Sequence, residues 1–102
     1  MTKKLVQIDF PADGPFGEEM STAYKELAES IEKEPGLIWK IWTENAETKE
    51  AGGVYYFEDE ESAKKYVKMH TKRLQSFGIS GIRSKMFNVN EKLTAITKGP
   101  IQ

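Results

Sequence analysis

The chain contains no cysteine. That excludes a disulfide framework, a thiolate metal site and a cysteine nucleophile. No run approaches the roughly 18 consecutive apolar residues of a membrane span. Met1-Thr2-Lys3-Lys4-Leu5 passes within a few residues into strand-like alternation without a long apolar core, so no signal peptide is expected. Neither sign of charge dominates: 15 Lys and Arg stand against 16 Asp and Glu. With no basic cluster, nucleic acid is excluded as the main partner. There is one histidine. What is present suits a single domain over residues 1–102. A hydrophobic share of 38%, with 11% aromatic, fills one core, and 30% charge keeps the surface wet. The expectation is a soluble, cytoplasmic globular domain.

Val6, Ile8 and Phe10 alternate with Gln7 and Asp9, the period-2 signature of a strand. Pro11-Ala12-Asp13-Gly14-Pro15 ends it. Phe16, Met20, Tyr24, Leu27 and Ile31 follow at spacings of four, four, three and four, one stripe of an amphipathic helix. Residues 37–44, rich in aromatic and β-branched types, predict a second strand, and residues 51–58 a third, joined by a hairpin through Asn45–Glu50. Gly52-Gly53 suggests a bulge or a close backbone approach. Asp59 is a good N-cap for a second helix carrying Ala63, Val67, His70, Leu74 and Phe77 on one stripe, with Gly78 as the C′ residue. A fourth strand is expected over Gly81–Asn90, and Leu93 and Ile96 are placed to dock one further helical turn.

The order β-α-β-β-α-β predicts an α+β, ferredoxin-like fold: a four-stranded antiparallel sheet with both helices on one face. Trp39 and Trp42 lie three apart on the second strand, so they point to opposite faces, as do Tyr55 and Tyr56 on the third. A sheet apolar on both sides needs cover on both sides. The helices cover one face, and a second copy of the chain is the economical cover for the other. A homodimer is therefore expected.

His70 sits on the apolar stripe between Val67 and Leu74 and should point toward the sheet. Spacing leaves two readings open: a hydrogen-bonded core histidine, or a general base or ligand-orienting donor in a cavity between helices and sheet. Tyr66 lies one turn earlier. Trp39, Trp42, Tyr55 and Tyr66 suit an aromatic pocket for a flat organic ligand, or equally core packing and the subunit interface. Lys40 shares a face with Trp42, with its stem expected to snorkel to water. Arg73, one turn beyond His70 and slightly round the helix, reads as solvated or near the ligand. No metal-ligand cluster, Walker loop, dinucleotide fingerprint or Ser-His-Asp order is present.

Gly14-Pro15-Phe16-Gly17, Leu27-Ala28-Glu29-Ser30-Ile31, Glu34-Pro35-Gly36, Trp39-Lys40 with Trp42-Thr43-Glu44, Glu50-Ala51-Gly52-Gly53 with Tyr55, and His70-Thr71 with Arg73-Leu74 together resemble the YdhR-type monooxygenases, in order and over roughly residues 4–95. The resemblance implies a dimeric α/β barrel, in which two ferredoxin-like subunits pair through their sheets. It implies a cofactor-independent monooxygenase acting on a small aromatic or quinol-like compound, with O₂ as co-substrate. On the placement of the side chains, His70 would act as base or hydrogen-bond donor, Tyr66 and Tyr55 would assist, and Trp39 or Trp42 would wall the pocket, which of the two being left open, with Arg73 as a further substrate-binding candidate. The first strand offers Gln7 and Asp9 where haem-degrading cousins carry Asn, which counts against haem. The alternatives are a non-catalytic dimer binding a small hydrophobic ligand, and isomerase or lyase chemistry on the same fold.

Overall fold

The computed structural model describes residues 3–101. Strands β1 (Lys4–Pro11), β2 (Leu37–Asn45), β3 (Glu50–Phe57) and β4 (Arg83–Asn88) form one antiparallel sheet in the order β2-β3-β1-β4. Helices α1 (Gly17–Ala23), α2 (Lys25–Glu32), α3 (Glu60–Ser76) and α4 (Glu91–Ile96) complete the chain. This is the ferredoxin-like α+β arrangement. No helix of the described residues is long and apolar enough to cross a membrane.

The period-2 pattern translates directly into two faces. Val6 pairs with Tyr55 and with Met86, Ile8 with Gly53, and Phe10 with Ala51, so these residues share the helix-covered side. Val6, Ile8, Tyr55 and Phe57 are buried there against Ile31, Ala63, Tyr66 and Leu74 of the helices. Gly52 lies where β3 meets β1 most tightly. A Cβ at that position would fall 2.0 Å from the Ile8 carbonyl oxygen. Close approach is thus the reason for this glycine, and the sheet's irregularity lies instead in β2, between Leu37 and Trp39.

Helix α3 begins as the sequence indicates, with the Ser62 N–H donating to Asp59 Oδ1 at 2.7 Å. It ends in a Schellman arrangement: Gly78, at φ +85°, donates to the Gln75 carbonyl, and Ile79 donates to that of Leu74. The hairpin between β2 and β3 is held by Asn45, whose side-chain oxygen accepts from the N–H groups of Glu47 and Thr48.

Four expectations need correction. The first helix is two helices, because Tyr24 leaves helical geometry (φ −108°, ψ 15°) where its ring stacks on Trp42 at 6.3 Å. The fourth strand is shorter than Gly81–Asn90. The chain does turn helical after it, with Asn90 accepting from the Leu93 N–H, yet Leu93 and Ile96 remain 62% and 76% exposed rather than docked. Finally, the second sheet face is not wholly bare. The Trp39 indole N–H donates to the Pro100 carbonyl at 2.8 Å, and its ring packs on Tyr56 at 5.3 Å, so the end of the chain reaches the β2–β3 corner. Ile41 and Phe87 stay exposed on that face.

Candidate active site

A cavity of about 650 Å³ lies between the sheet and the helices. Its floor is β3 and β2 (Tyr55, Lys40, Trp42), and its walls are Tyr24, His70 and Leu74, with segments 10–15 and 77–80 at the rim. A larger depression of about 940 Å³ runs past Lys4, Glu34, Glu60, Glu61 and Lys65, but it is an open groove dominated by solvated ions. The smaller cavity gathers the buried titratable groups and carries the chemistry.

Lys40 is central to it. Its partner across the hairpin is Tyr55, so both side chains point to the helix side. Its stem lies in the space left by Gly53, where a Cβ would come 2.6 Å from Lys40 Cε. The amine sits 3.3 Å from the centroid of the Trp42 ring and 4.6 Å from that of Tyr55. Among the described residues it forms no ion pair. Burial, reinforced by the Arg73 charge, lowers its pKa to about 7. The two ring faces attract the ammonium form.

His70 is 3% exposed on the facing side of α3. Its Nδ1 lies 3.2 Å from Arg73 Nε and 3.0 Å from Arg73 Nη2. A guanidinium only donates, so Nδ1 accepts and the ring proton resides on Nε2. Burial first, then the positive charges of Lys40 and Arg73, lower the pKa of His70 to about 3. With Nδ1 engaged by the guanidinium, the neutral ring presents its Nε2–H as a hydrogen-bond donor. Since it is the chain's single histidine, its ring-proton NMR resonance is expected not to titrate between about pH 5 and 8. A midpoint near the ordinary 6.5 would show that the ring is not shielded from water in this way.

Burial pushes the Tyr55 hydroxyl far up, and raises that of Tyr66 to about 12 against the smaller opposing influence of the Tyr55 hydroxyl and Arg73. Neither tyrosine ionises near neutrality.

Of the residues singled out from the sequence, the cavity brings together His70, Tyr55 and Trp42. Tyr66 stacks on His70 at 5.0 Å, with Tyr55 at 5.1 Å, but lines the outer groove instead. Arg73 lies behind His70 and fixes its tautomer. Trp39 is on the opposite face and cannot wall the cavity, because side chains of odd spacing along β2 part company across the sheet. Lys40 does not snorkel to water; the stem is drawn inward over Gly53. The sequence reading thus missed Lys40 and Tyr24 as cavity residues. A signal for Lys40 existed: it stands two residues from Trp42, on the face where the partner strand supplies a glycine.

With the cavity described, the fold can be set beside known structures. Protein YJCS, solved by structural genomics, superposes with a TM-score of 0.62 at 20% identity, over 88% of this chain and 100% of the other. The NE2512 protein of unknown function from Nitrosomonas europaea matches at 0.59 and 14% identity, over 88% and 91%. The monooxygenase from the gene ActVA-Orf6 of Streptomyces coelicolor, in complex with Nanaomycin D, matches at 0.59 and 16% identity, over 87% and 88%. These likenesses establish the ferredoxin-like fold. No curated protein matches the chain. Residues 5–100 match the family described as "Putative mono-oxygenase ydhR", and the chain belongs to that family.

Proposed function

We propose that the protein is a cofactor-independent monooxygenase acting on a small aromatic or quinol-like compound. The observation that carries this reading is the amine of Lys40, set between two aromatic rings in a cavity of about 650 Å³ with no carboxylate partner among the described residues. An aromatic ligand entering against Trp42 and Tyr24 displaces the amine from the ring faces. The neutral amine takes the proton of the substrate's acidic O–H or C–H group, and the ammonium that forms stays beside the new anion. The Nε2–H of His70 donates to the substrate oxygen and stabilises the charge there. The electron-rich anion then reduces O₂ itself. A CH₂ becomes C=O, one oxygen atom enters the product, and the other leaves as water with the two hydrogens. Tyr55 closes the floor of the cage, and Tyr66 and Arg73 act through His70. Family membership and the ActVA-Orf6 monooxygenase among the structural neighbours support the reaction class.

The test is oxygen uptake against a panel of anthrones and quinols, with product mass. A product heavier by one oxygen and lighter by two hydrogens is expected. Binding without oxygen uptake indicates a ligand-binding dimer, and a product of unchanged mass indicates isomerase chemistry; either result overturns the reading.

The working unit in this reading is a homodimer. Ile41 and Phe87, 52% and 44% exposed, stand on the open sheet face with Val54 and Leu5, and a second sheet of the same chain covers such a face symmetrically. Light scattering is expected to give twice the chain mass, and Ile41→Glu with Phe87→Glu a folded monomer. A wild-type monomer at micromolar concentration would refute the dimer.

A further inference from the structure

We propose that Lys40 is also a carbonyl-capturing residue, forming a Schiff base with small aromatic aldehydes that enter the cavity. The inference rests on the aromatic-ligand reading of this cavity, and it requires no oxygen chemistry. Three independent features of the geometry support it. The stem of Lys40 is laid along β3 in a trough that exists because residue 53 has no side chain, with 2.6 Å between a virtual Cβ and Lys40 Cε. The amine is therefore brought to the cavity floor and not left to swing in solvent. It is flanked by the faces of Trp42 and Tyr55, against which a flat aromatic aldehyde can stack while presenting its carbonyl carbon to Nζ. And no acidic side chain among the described residues pairs with it, so nothing holds the proton on the nitrogen. The acidic residue that does line the cavity, Asp13, is exposed at its rim. The low pKa of the amine is in keeping with this setting.

The step balances without an oxidant. The Nζ lone pair attacks the carbonyl carbon, a C–N bond forms, and the oxygen takes up a proton from the nitrogen to give a carbinolamine. The Nε2–H of His70 is available to donate to that oxygen. The oxygen then departs as water, taking the remaining N–H proton, and C=N forms. The ligand class is thus an aromatic aldehyde, without a charged group that would need a counter-ion in the cavity.

The probe is 4-methylbenzaldehyde, added to the intact protein under nitrogen at pH 7 and trapped with sodium borohydride, whose hydride converts the imine into a stable secondary amine. Peptide mapping by mass spectrometry locates the adduct. Lys40 is expected to label roughly 10²-fold or more faster than the lysines on the surface. Lys40→Met should lose the fast adduct. Gly53→Ala, which keeps the amine but pushes its stem aside, should slow labelling at Lys40 tenfold or more while circular dichroism stays unchanged. Label spread evenly over surface lysines, or equal labelling in Lys40→Met, overturns the proposal. Because the trapping is anaerobic, its failure leaves the oxygenase reading standing, and absence of oxygen uptake leaves a trapped Lys40 standing.

Discussion

Lys40→Gln is expected to lower aromatic-substrate turnover by roughly 10²–10⁴-fold, the range that a positioned acid–base group contributes. In the proposed mechanism the base works in its neutral form, so wild-type kcat/KM should rise as pH passes about 7 and level off above it. In Lys40→Gln the ascending limb should vanish. Lys40→Arg should not restore activity, because a guanidinium stays charged at any working pH. Equal activity and an unaltered pH profile in Lys40→Gln would remove Lys40 from the mechanism.

The same group leaves a mark on stability. Its folded pKa is about 7 against the ordinary 10.5, so between those values the unfolded chain binds more protons than the folded one. Stability therefore rises with pH across that window, and the burden of a buried ammonium is felt below it. His70 acts in the same sense further down: with a folded pKa near 3 against 6.5, stability falls as the medium is acidified through that lower range. Lys40→Gln should flatten the upper slope in a series of thermal melts and leave the lower one in place. The variant that loses turnover is thus expected to be no less stable than wild type at pH 6.

Phe57→Ala carries the largest expected effect on folding. Phe57 is wholly buried, 5.4 Å from the Tyr66 ring and 6.4 Å from that of Tyr55, and lies on β3 between Lys4 of β1 and Leu37 of β2. Truncating a buried Phe costs about 3–5 kcal/mol, set against a total stability of roughly 5–15 kcal/mol. A fall in Tm of at least about 12 °C follows for a chain of this size. The contrast is Leu93→Ala, at a site 62% exposed, where a change within about 0.5 kcal/mol is expected. A Tm for Phe57→Ala within a few degrees of wild type would mean that the core is not organised around this ring.

The fold was legible in the sequence because its signals are local and repeat. Strand alternation around Val6, the Asp59 cap and the Gly78 terminus each depend on neighbours within a few residues. The break at Tyr24 was not legible, since it answers to Trp42 on a strand 18 positions away, and a stripe of helical spacing passes straight through it. The site was read in part for a similar reason. His70 could be placed on the sheet-facing stripe from spacing alone. Its protonation state could not, because that is decided first by burial and then by the charges of Lys40 across the cavity and Arg73 beside it. Lys40 itself looks solvent-bound by residue type. Only its register opposite Tyr55, beside the vacancy at Gly53, turns it inward. Which of Trp39 and Trp42 borders the cavity was not legible, because both suit a flat molecule chemically, while the sheet lets only one of them reach it.

That parting of Trp39 and Trp42 has a spectroscopic use. The chain's two indoles are intrinsic fluorophores on opposite sides of a single strand. One borders the cavity, and the other packs on Tyr56 under the end of the chain. With Trp39→Phe, the remaining emission reports cavity occupancy. With Trp42→Phe, it reports what happens on the outer sheet face. Two unlabelled variants therefore make events in the cavity and on the outer sheet face separately visible in the same cuvette.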